Sequence, residues 1–470
     1  MKNGKTIVII SVVAAALGVA PMVISSFTDK KIEEYKAMLA NNGFKQEITK
    51  KEGYFVTKRD FTLEVVDASK AMNFLLGKVV EKNKQYDAVV KFIKEETKPD
   101  DVNAAFNGLK FRGQMEHSNL LPADRKASLI WDRLPSSVTD EDTKKIMNPL
   151  LARGVFAFDI AFDASHAIKQ VAARDIKEKI AVNEENTIDI NTVGHKLDLS
   201  VGSDVTKGRL EFGKQFLQAS SKDPYEGNVS SDLEKMVYNF NVKDDFNGEG
   251  DLTLGKYSFI AGDGDEQTFF GLNGAKASSK VQDKNDKVQM VVDYFFDGLT
   301  FSDSMEKFGL QALNIKIGID GLTTSRLKKI QQAYTYDGFV MQTGSNMSAE
   351  QQKALEGDVV GLINDGMKLT LNVGLKGLTS PMTAIKDGIV DATFEIPKNS
   401  FNKGQGPFAL LSLLDASAKI KIHKEDRATL EAFGLLPKRY FELGVAKDEY
   451  VAYDLVMKQG KLTLNGQPVQ

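Results

Sequence analysis

The chain has 470 residues, 42% of them hydrophobic, with 61 basic residues against 64 acidic ones and a net charge of −3. That balance supplies no overall cationic field to hold a phosphate backbone, so nucleic acid is not an expected partner. The chain contains no Cys, which excludes a lipid-modified cysteine, a disulfide framework and thiolate metal sites.

At the amino end, no charged residue occurs from Thr6 to Thr28, and nearly all of Ile7 to Phe27 is apolar. A helix rising about 1.5 Å per residue needs roughly 20 such residues to cross a bilayer. Residues 1–28 are therefore expected to form an uncleaved, single-pass membrane anchor. The competing readings are a cleaved signal peptide and a buried core helix. The run exceeds the usual signal core, and a cut after Ala20 would leave Pro21 at the new terminus. Pro21 and Gly18 would weaken a water-soluble helix, whereas membrane helices tolerate both. Positive charge flanks the run on both sides, at Lys2 and Lys5 and then at Lys30, Lys31 and Lys36. Long downstream regions cross regardless of such counts, and a short basic leader precedes exported chains, so the body is expected outside the cytosol.

After the anchor, Asp29 to Asn41 reads as a helix closed by Asn42-Gly43. Phe44 to Val66 alternates as strands, with Glu52-Gly53 as the hairpin turn. Ala68 to Glu96 returns to helical spacing and ends at Lys98-Pro99-Asp100, and Asp140 to Leu151 and Ile168 to Lys179 are further short helix candidates.

From Val155 onward the period is two: Phe156 to Phe162, Ile188 and Ile190, Leu197 to Val201, Leu210 and Phe212, Tyr238 to Val242, Leu252 to Phe259, Val288 to Tyr294, Leu313 to Ile319, Leu369 to Leu375, Thr393 to Ile396, and Ile420 to Ile422. Such strands have one apolar and one polar face, as in an antiparallel sheet with one side on a core. Helices are expected at Thr323 to Ala333, at Ser348 to Gly366 with Ser348 and Gln351 as a capping box, and at Glu425 to Phe433. Gly404 to Leu414 reads as a short buried connector, and the chain ends in a hairpin of Glu449 to Lys458 and Lys461 to Leu464. Frequent Gly within the strands points to a strongly curved sheet, whose apolar trough would hold a lipid chain or be filled by its own Phe side chains.

The fold class is thus α+β: a mostly antiparallel, curved sheet body with several packed helices, preceded by one transmembrane helix. By pattern the chain divides into the anchor (1–28), a mixed helix and strand region (29–150), a β-rich middle (151–322) and an α+β carboxyl-terminal region (323–470).

Candidate chemistry is sparse. His117, His166, His195 and His423 are too far apart in sequence for a helical zinc pair, and each reads as a structural or surface residue. No nucleophile elbow, phosphate loop or dinucleotide fingerprint occurs, and acidic runs such as Asp140-Glu141-Asp142 and Glu184-Glu185 read as solvated loops. Asp245, Asn247, Glu249 and Gly250 match positions one, three, five and six of a calcium loop, but position twelve is Lys256 where two carboxylate oxygens are required. A hairpin turn explains these residues better, and Asp263-Gly264-Asp265-Glu266 is a similar acidic turn. No metal or cofactor is expected, and the local pattern singles out no catalytic residue.

The anchor, the Lys30-Lys31-Ile32-Glu33 helix start, the alternating strands and the ending Tyr450 to Asp454 with Lys458 to Val469 resemble the YdgA-like family of bacterial envelope proteins. The resemblance is sharpest at the two ends. It implies an inner-membrane anchor with a large periplasmic body and brings no catalytic residue. One departure is His117-Ser118-Asn119, where that family would carry a His-Gly-Pro turn after the strand. Two functions follow: a noncatalytic envelope protein holding a partner protein or a lipid-like ligand near the membrane, or an anchored hydrolase with a site assembled from dispersed residues.

Overall fold

The computed structural model describes residues 29–82, 90, 94, 97–118, 125–163, 168–201, 205–222, 227–263, 266–331, 349–381, 383–402, 404, 407–427, 440 and 442–469. The expected anchor lies outside them. No helix among the described residues is long and apolar enough to cross a membrane. The chain forms two compact units that meet in sequence between Val201 and Gly202.

In the first unit, helix α1 (Asp29–Asn41) leads into β1 (Phe44–Glu52) and β2 (Val56–Val65), then α2 (Ala68–Lys82), α3 (Pro99–Phe106), β3 (Lys110–Ser118), β4 (Arg125–Arg133), α4 (Glu141–Ala152), β5 (Ala157–Phe162), β6 (Ile168–Ala173), β7 (Ile176–Ala181), β8 (Asn186–Val193) and β9 (Lys196–Val201). The expected turn joins β1 to β2, where the Gly53 amide donates to the Val56 carbonyl at 3.0 Å. Asp140 caps α4 by accepting from the Thr143 amide at 2.7 Å. Pro99 opens α3 at the first helical position, where its missing N–H costs nothing.

β1 to β6 pair antiparallel in chain order. One sheet face carries Phe61, Leu63, Phe111, Met115, Leu129, Ile160 and Phe162, which form one buried cluster with Leu39, Ala68, Ala71, Val102 and Phe106 of α1 to α3. This is the self-filled core that abundant Phe suggests. The segment Ile168 to Lys179 is not a helix. It forms β6 and β7, because Ile176 and Ile180 alternate with exposed Lys177 and Lys179 and pair with β8 from Ile176 against Thr192. Its Ala, Lys and Glu favour helix locally, but cross-strand pairing overrides that weak preference.

The second unit contains β10 (Thr206–Phe212), β11 (Lys214–Ser221), β12 (Val229–Leu233), β13 (Met236–Asp244), β14 (Asn247–Leu254), β15 (Tyr257–Ala261), β16 (Thr268–Leu272), β17 (Gly274–Asp283), β18 (Lys287–Ser302), β19 (Lys307–Thr323), α5 (324–331), α6 (Ala349–Asp365), β20 (Met367–Ser380), β21 (Thr383–Ile396), α7 (Pro407–Leu413), β22 (Asp415–His423), β23 (Val445–Lys447), β24 (Tyr450–Lys458), β25 (Lys461–Leu464) and β26 (Gln467–Pro468). Ser348 lies outside the described residues, as does most of the expected helix after Glu425, which opens as a 3-10 turn at Lys424–Asp426. Gly404 to Leu414 is not a buried connector. α7 is only seven residues long and leaves Leu411 half exposed. The terminal hairpin forms as expected.

Leu252 to Phe259 is interrupted at Gly255-Lys256, and this break belongs to a crease. β10 and β11 pair with β13 and β12 in one continuous register, from Phe212 against Met236 to Gln215 against Leu233. The same holds for β14 and β15 against β17 and β16. The positions skipped by the ladder register fall in line across the sheet at Gly213, Lys235, Gly255, Gly298, Gln311, Gly377 and Lys386. Gly298 and Gly377 take φ of 62° there, a left-handed conformation that costs other residues about 1–2 kcal/mol.

Gly377→Val should lower the urea midpoint of the second unit by the equivalent of about 1–3 kcal/mol, because its Cβ would also sit 2.4 Å from Gln311 Cδ. Gly374→Ala in the same strand, where the nearest atom is 3.9 Å away, should leave the midpoint nearly unchanged. Equal midpoints for the two variants would refute the crease as a backbone constraint.

Candidate functional site

The cross-strand register of the second unit sorts residues by polarity row by row. Leu210, Tyr238, Leu252, Ala277, Tyr294, Ile315, Val373, Val390, Ile420 and Tyr453 stand opposite one another in turn, from β10 across to β24. The adjacent row, on the other face, runs Arg209, Asn239, Asp251, Ser278, Asp293, Lys316, Asn372, Asp391, Lys419 and Asp454. Successive side chains in a strand point to opposite faces, so one face is apolar and the other polar and charged. Hydrogen bonds tie parts of the polar row together, with Arg209 donating to Asn239 Oδ1 at 3.2 Å and Asn372 donating to Asp391.

At about 4.8 Å per strand the apolar face is roughly 45 Å wide. Rows beside the first keep the same character, as Phe296, Leu313 and Leu375 or Val292, Ile317 and Leu371 show. Phe240 lies flat over Gly208, where a Cβ would come within 2.1 Å of its ring, and stacks on Tyr238 at 5.6 Å. Beyond the crease the apolar positions shift by one residue, from Tyr294 and Phe296 to Leu299 and Phe301 in β18 and from Leu313 to Leu310 and Phe308 in β19. A position skipped by the ladder uses up one step of the pleat, so this shift keeps the apolar set on one face.

Among the described residues this face is not sealed. A compact buried cluster forms only at its far edge, around Ile422, Val451, Tyr453 and Leu464. On this face Tyr238, Val242, Tyr294 and Phe394 are 37–43% exposed, and on the opposite face Val291 and Phe295 are 42% and 39% exposed. α6 is held at the end of β19, where Asp365 accepts from Thr323 Oγ1 at 2.6 Å and from Arg326 Nε at 2.9 Å.

The histidines are dispersed. His166 lies outside the described residues. His117 sits on the inner face of the first unit with its Nδ1 3.3 Å from Arg59 Nη1. Burial, followed by the nearby Arg59, Arg125 and Lys50 cations, holds its imidazole below the ordinary value. His195, at the break between β8 and β9, is likewise held down by burial, against a smaller opposing pull from Asp175. His423 Nδ1 accepts from the Glu425 amide at 3.2 Å while Nε2 faces Glu449 at 3.4 Å. With one ring nitrogen committed to a backbone amide, the His423–Glu449 pair has no free nitrogen to activate a nucleophile.

The calcium-like sequence lies on the β13–β14 hairpin. Asn247 donates to Asp244, and Glu249 and Asp251 lie along β14 against Asn241 and Asn239. Among the described residues no three His, Asp or Glu side chains gather closely enough to hold a metal ion. Of the second acidic turn, Asp263 accepts from the side chain of Asn228 at 2.7 Å, while Gly264 and Asp265 lie outside the described residues.

On the outer face of the first unit a polar groove of about 340 Å³ is lined by Gln114, Glu116, Lys126, Asp159, Gln170 and Arg174. Three of its charges are paired: Arg174 grips Asp159 through Nε at 3.1 Å and Nη2 at 2.9 Å, and Glu116 pairs with Lys58, outside the groove lining, at 3.1 Å.

Residues 135–429, more than half of the chain, match the family described as bacterial protein of unknown function, DUF945. The chain belongs to DUF945. The matched span runs from α4 to β22 and so contains the crease and nearly all of the apolar face. No curated protein matches the chain. The DUF945 description assigns no activity, so it brings no catalytic residue to these side chains.

The lowered imidazoles fix a pH dependence. The unfolded chain binds these protons more readily than the fold does, so stability should fall as pH drops below about 6.5 and continue falling to the folded values. Urea titrations between pH 8 and pH 5 should show this loss, and His117→Asn with His195→Asn should flatten it. An unchanged slope in the double variant would contradict the burial argument.

Proposed function

We propose that the protein is a membrane-anchored bacterial envelope protein of the YdgA-like kind, with its body in the periplasm, and that it acts without catalysis by holding a lipid-like amphiphile. The observation that carries this reading is the unbroken apolar row from Leu210 to Tyr453, in which Tyr238 and Tyr294 stay 37% and 38% exposed. Contiguous apolar surface of this extent marks an interaction site. Covering a partly exposed Ile or Leu there would contribute up to about 1 kcal/mol, so an alkyl chain crossing several strands would be held without any polar contact. The opposite face, with its alternating Arg, Asp and Lys, keeps the same sheet in water.

The purified full chain should bind a fluorescent long-chain fatty acid. Ile317→Glu and Val373→Glu, on the apolar face, should each weaken binding roughly tenfold or more, because the ligand would have to desolvate a carboxylate. Thr370→Glu, on the other face, should leave it unchanged. Equal affinities in all three variants would defeat the amphiphile reading.

Location is tested separately by a carboxyl-terminal reporter that works only outside the cytoplasm, followed by an alkaline carbonate wash of the membranes. Activity retained in the pellet supports an anchored, external body. Activity in the wash would mean a cleaved leader, and no activity would mean a body facing inward.

A further inference from the structure

At the far end of the first unit, the β1–β2 turn presents two adjacent aromatic residues to solvent: Tyr54 is 85% and Phe55 60% exposed. Their rings meet edge to face at 4.7 Å, which makes one amphipathic wedge with a phenol at its margin. Lysines flank the wedge on both strands. Lys50 pairs with Glu52, Lys51 with Asp60 at 2.8 Å, and Lys58 with Glu116 at 3.1 Å. Exposed pairs of this kind are worth at most about 1 kcal/mol. Each lysine can therefore exchange its carboxylate for a lipid phosphate, a contact of similar size at a charged membrane surface.

The path of the chain brings this wedge toward the expected anchor. α1 ends in the tight Asn42–Gly43 turn, where the Asn42 amide donates to the Leu39 carbonyl at 3.0 Å, and β1 begins at once. α1 packs on β1, with Leu39 and Phe44 in the same buried cluster and Met38 and Ile48 against it. A helix of 13 residues is about 20 Å long and a strand of 9 residues about 30 Å. Doubling back, the helix carries its first residue, Asp29, toward the hairpin end of the sheet.

We propose that the Tyr54–Phe55 tip is a second membrane contact, seated at the headgroup level of an anionic bilayer with Lys50, Lys51 and Lys58 on its phosphates. The proposal rests on the anchored reading above and adds to it a fixed orientation of the first unit against the membrane. Tyr and Phe rings partition to this interface, and a basic rim favours anionic lipid.

The absence of native Cys makes the test direct, because one introduced thiol is the only one in the chain. Full-length Phe55→Cys and Tyr54→Cys carry an environment-sensitive fluorophore in vesicles of phosphatidylethanolamine and phosphatidylglycerol, some with a nitroxide-labelled lipid. Met305→Cys, 87% exposed at the β18–β19 turn of the other unit, is the control. The expected result is a blue shift, a several-fold gain in intensity and nitroxide quenching at positions 54 and 55, with none at 305, and a weaker response in neutral phosphatidylcholine. Chains that float with vesicles after carbonate while both tip labels stay unchanged would overturn the tip contact and leave the anchor standing. Chains released by carbonate whose tip labels still respond to added vesicles would leave the tip contact standing and overturn the anchor. No flotation and no response would overturn both, and labels quenched only by a second labelled copy of the chain would make the tip a self-association surface.

Discussion

Everything distinctive in the second unit depends on cross-strand register. Each pairing from β10 to β24 sets apolar side chains opposite apolar ones, and a slip of one residue in any of them would turn that strand's greasy face outward. The crease tests this dependence within every strand it crosses. Where the pleat is interrupted at Gly298 or Gly377, the apolar positions in the sequence change phase by one residue, so the segregation survives the bend. Pattern and backbone are therefore matched on both sides of the break, which is the consistency between local and global structure that a well-defined fold requires.

The two units solve the one-sided sheet differently. In the first, α1 to α3 cover the apolar face, and Phe61, Phe111 and Phe162 disappear into a sealed core. In the second, the described helices α5 and α6 are drawn aside to the end of β19 by Arg326, which reaches both Asp358 and Asp365. On the apolar face of this unit Tyr238 and Tyr294 stay 37% and 38% exposed.

Much of this was legible in the sequence, because period-two patterning is a direct record of strand faces. Asp29–Asn41, the Glu52-Gly53 turn, the long strands near Leu313 and Leu369 and the terminal hairpin all follow from local pattern and turn chemistry. Ile168 to Lys179 misled because its residues favour a helix in isolation, and only pairing with β8 decides otherwise. The rows across the sheet could not be read in advance, since they depend on which strands become neighbours and in what register. The crease left one local trace, the apolar phase change around residues such as Gly298, that a single-period reading of Val288 to Tyr294 stops short of. The exposure of Tyr54 and Phe55 was equally hidden, although their place beside a Gly turn marks them as residues outside the core pattern.

The meander has a kinetic meaning as well. Once β10 and β11, β12 and β13, and β14 and β15 are seen as single creased strands, every long strand pairs with the one made just before it. From β10 to β19 each addition closes only a short loop, so the entropic penalty per strand stays small there, and longer connections enter only from β19 to β20, β21 to β22 and β22 to β24. A sheet of this kind can lengthen hairpin by hairpin as its polypeptide emerges, with each new strand sealing the edge left by the last and exposing only one unpaired border at a time.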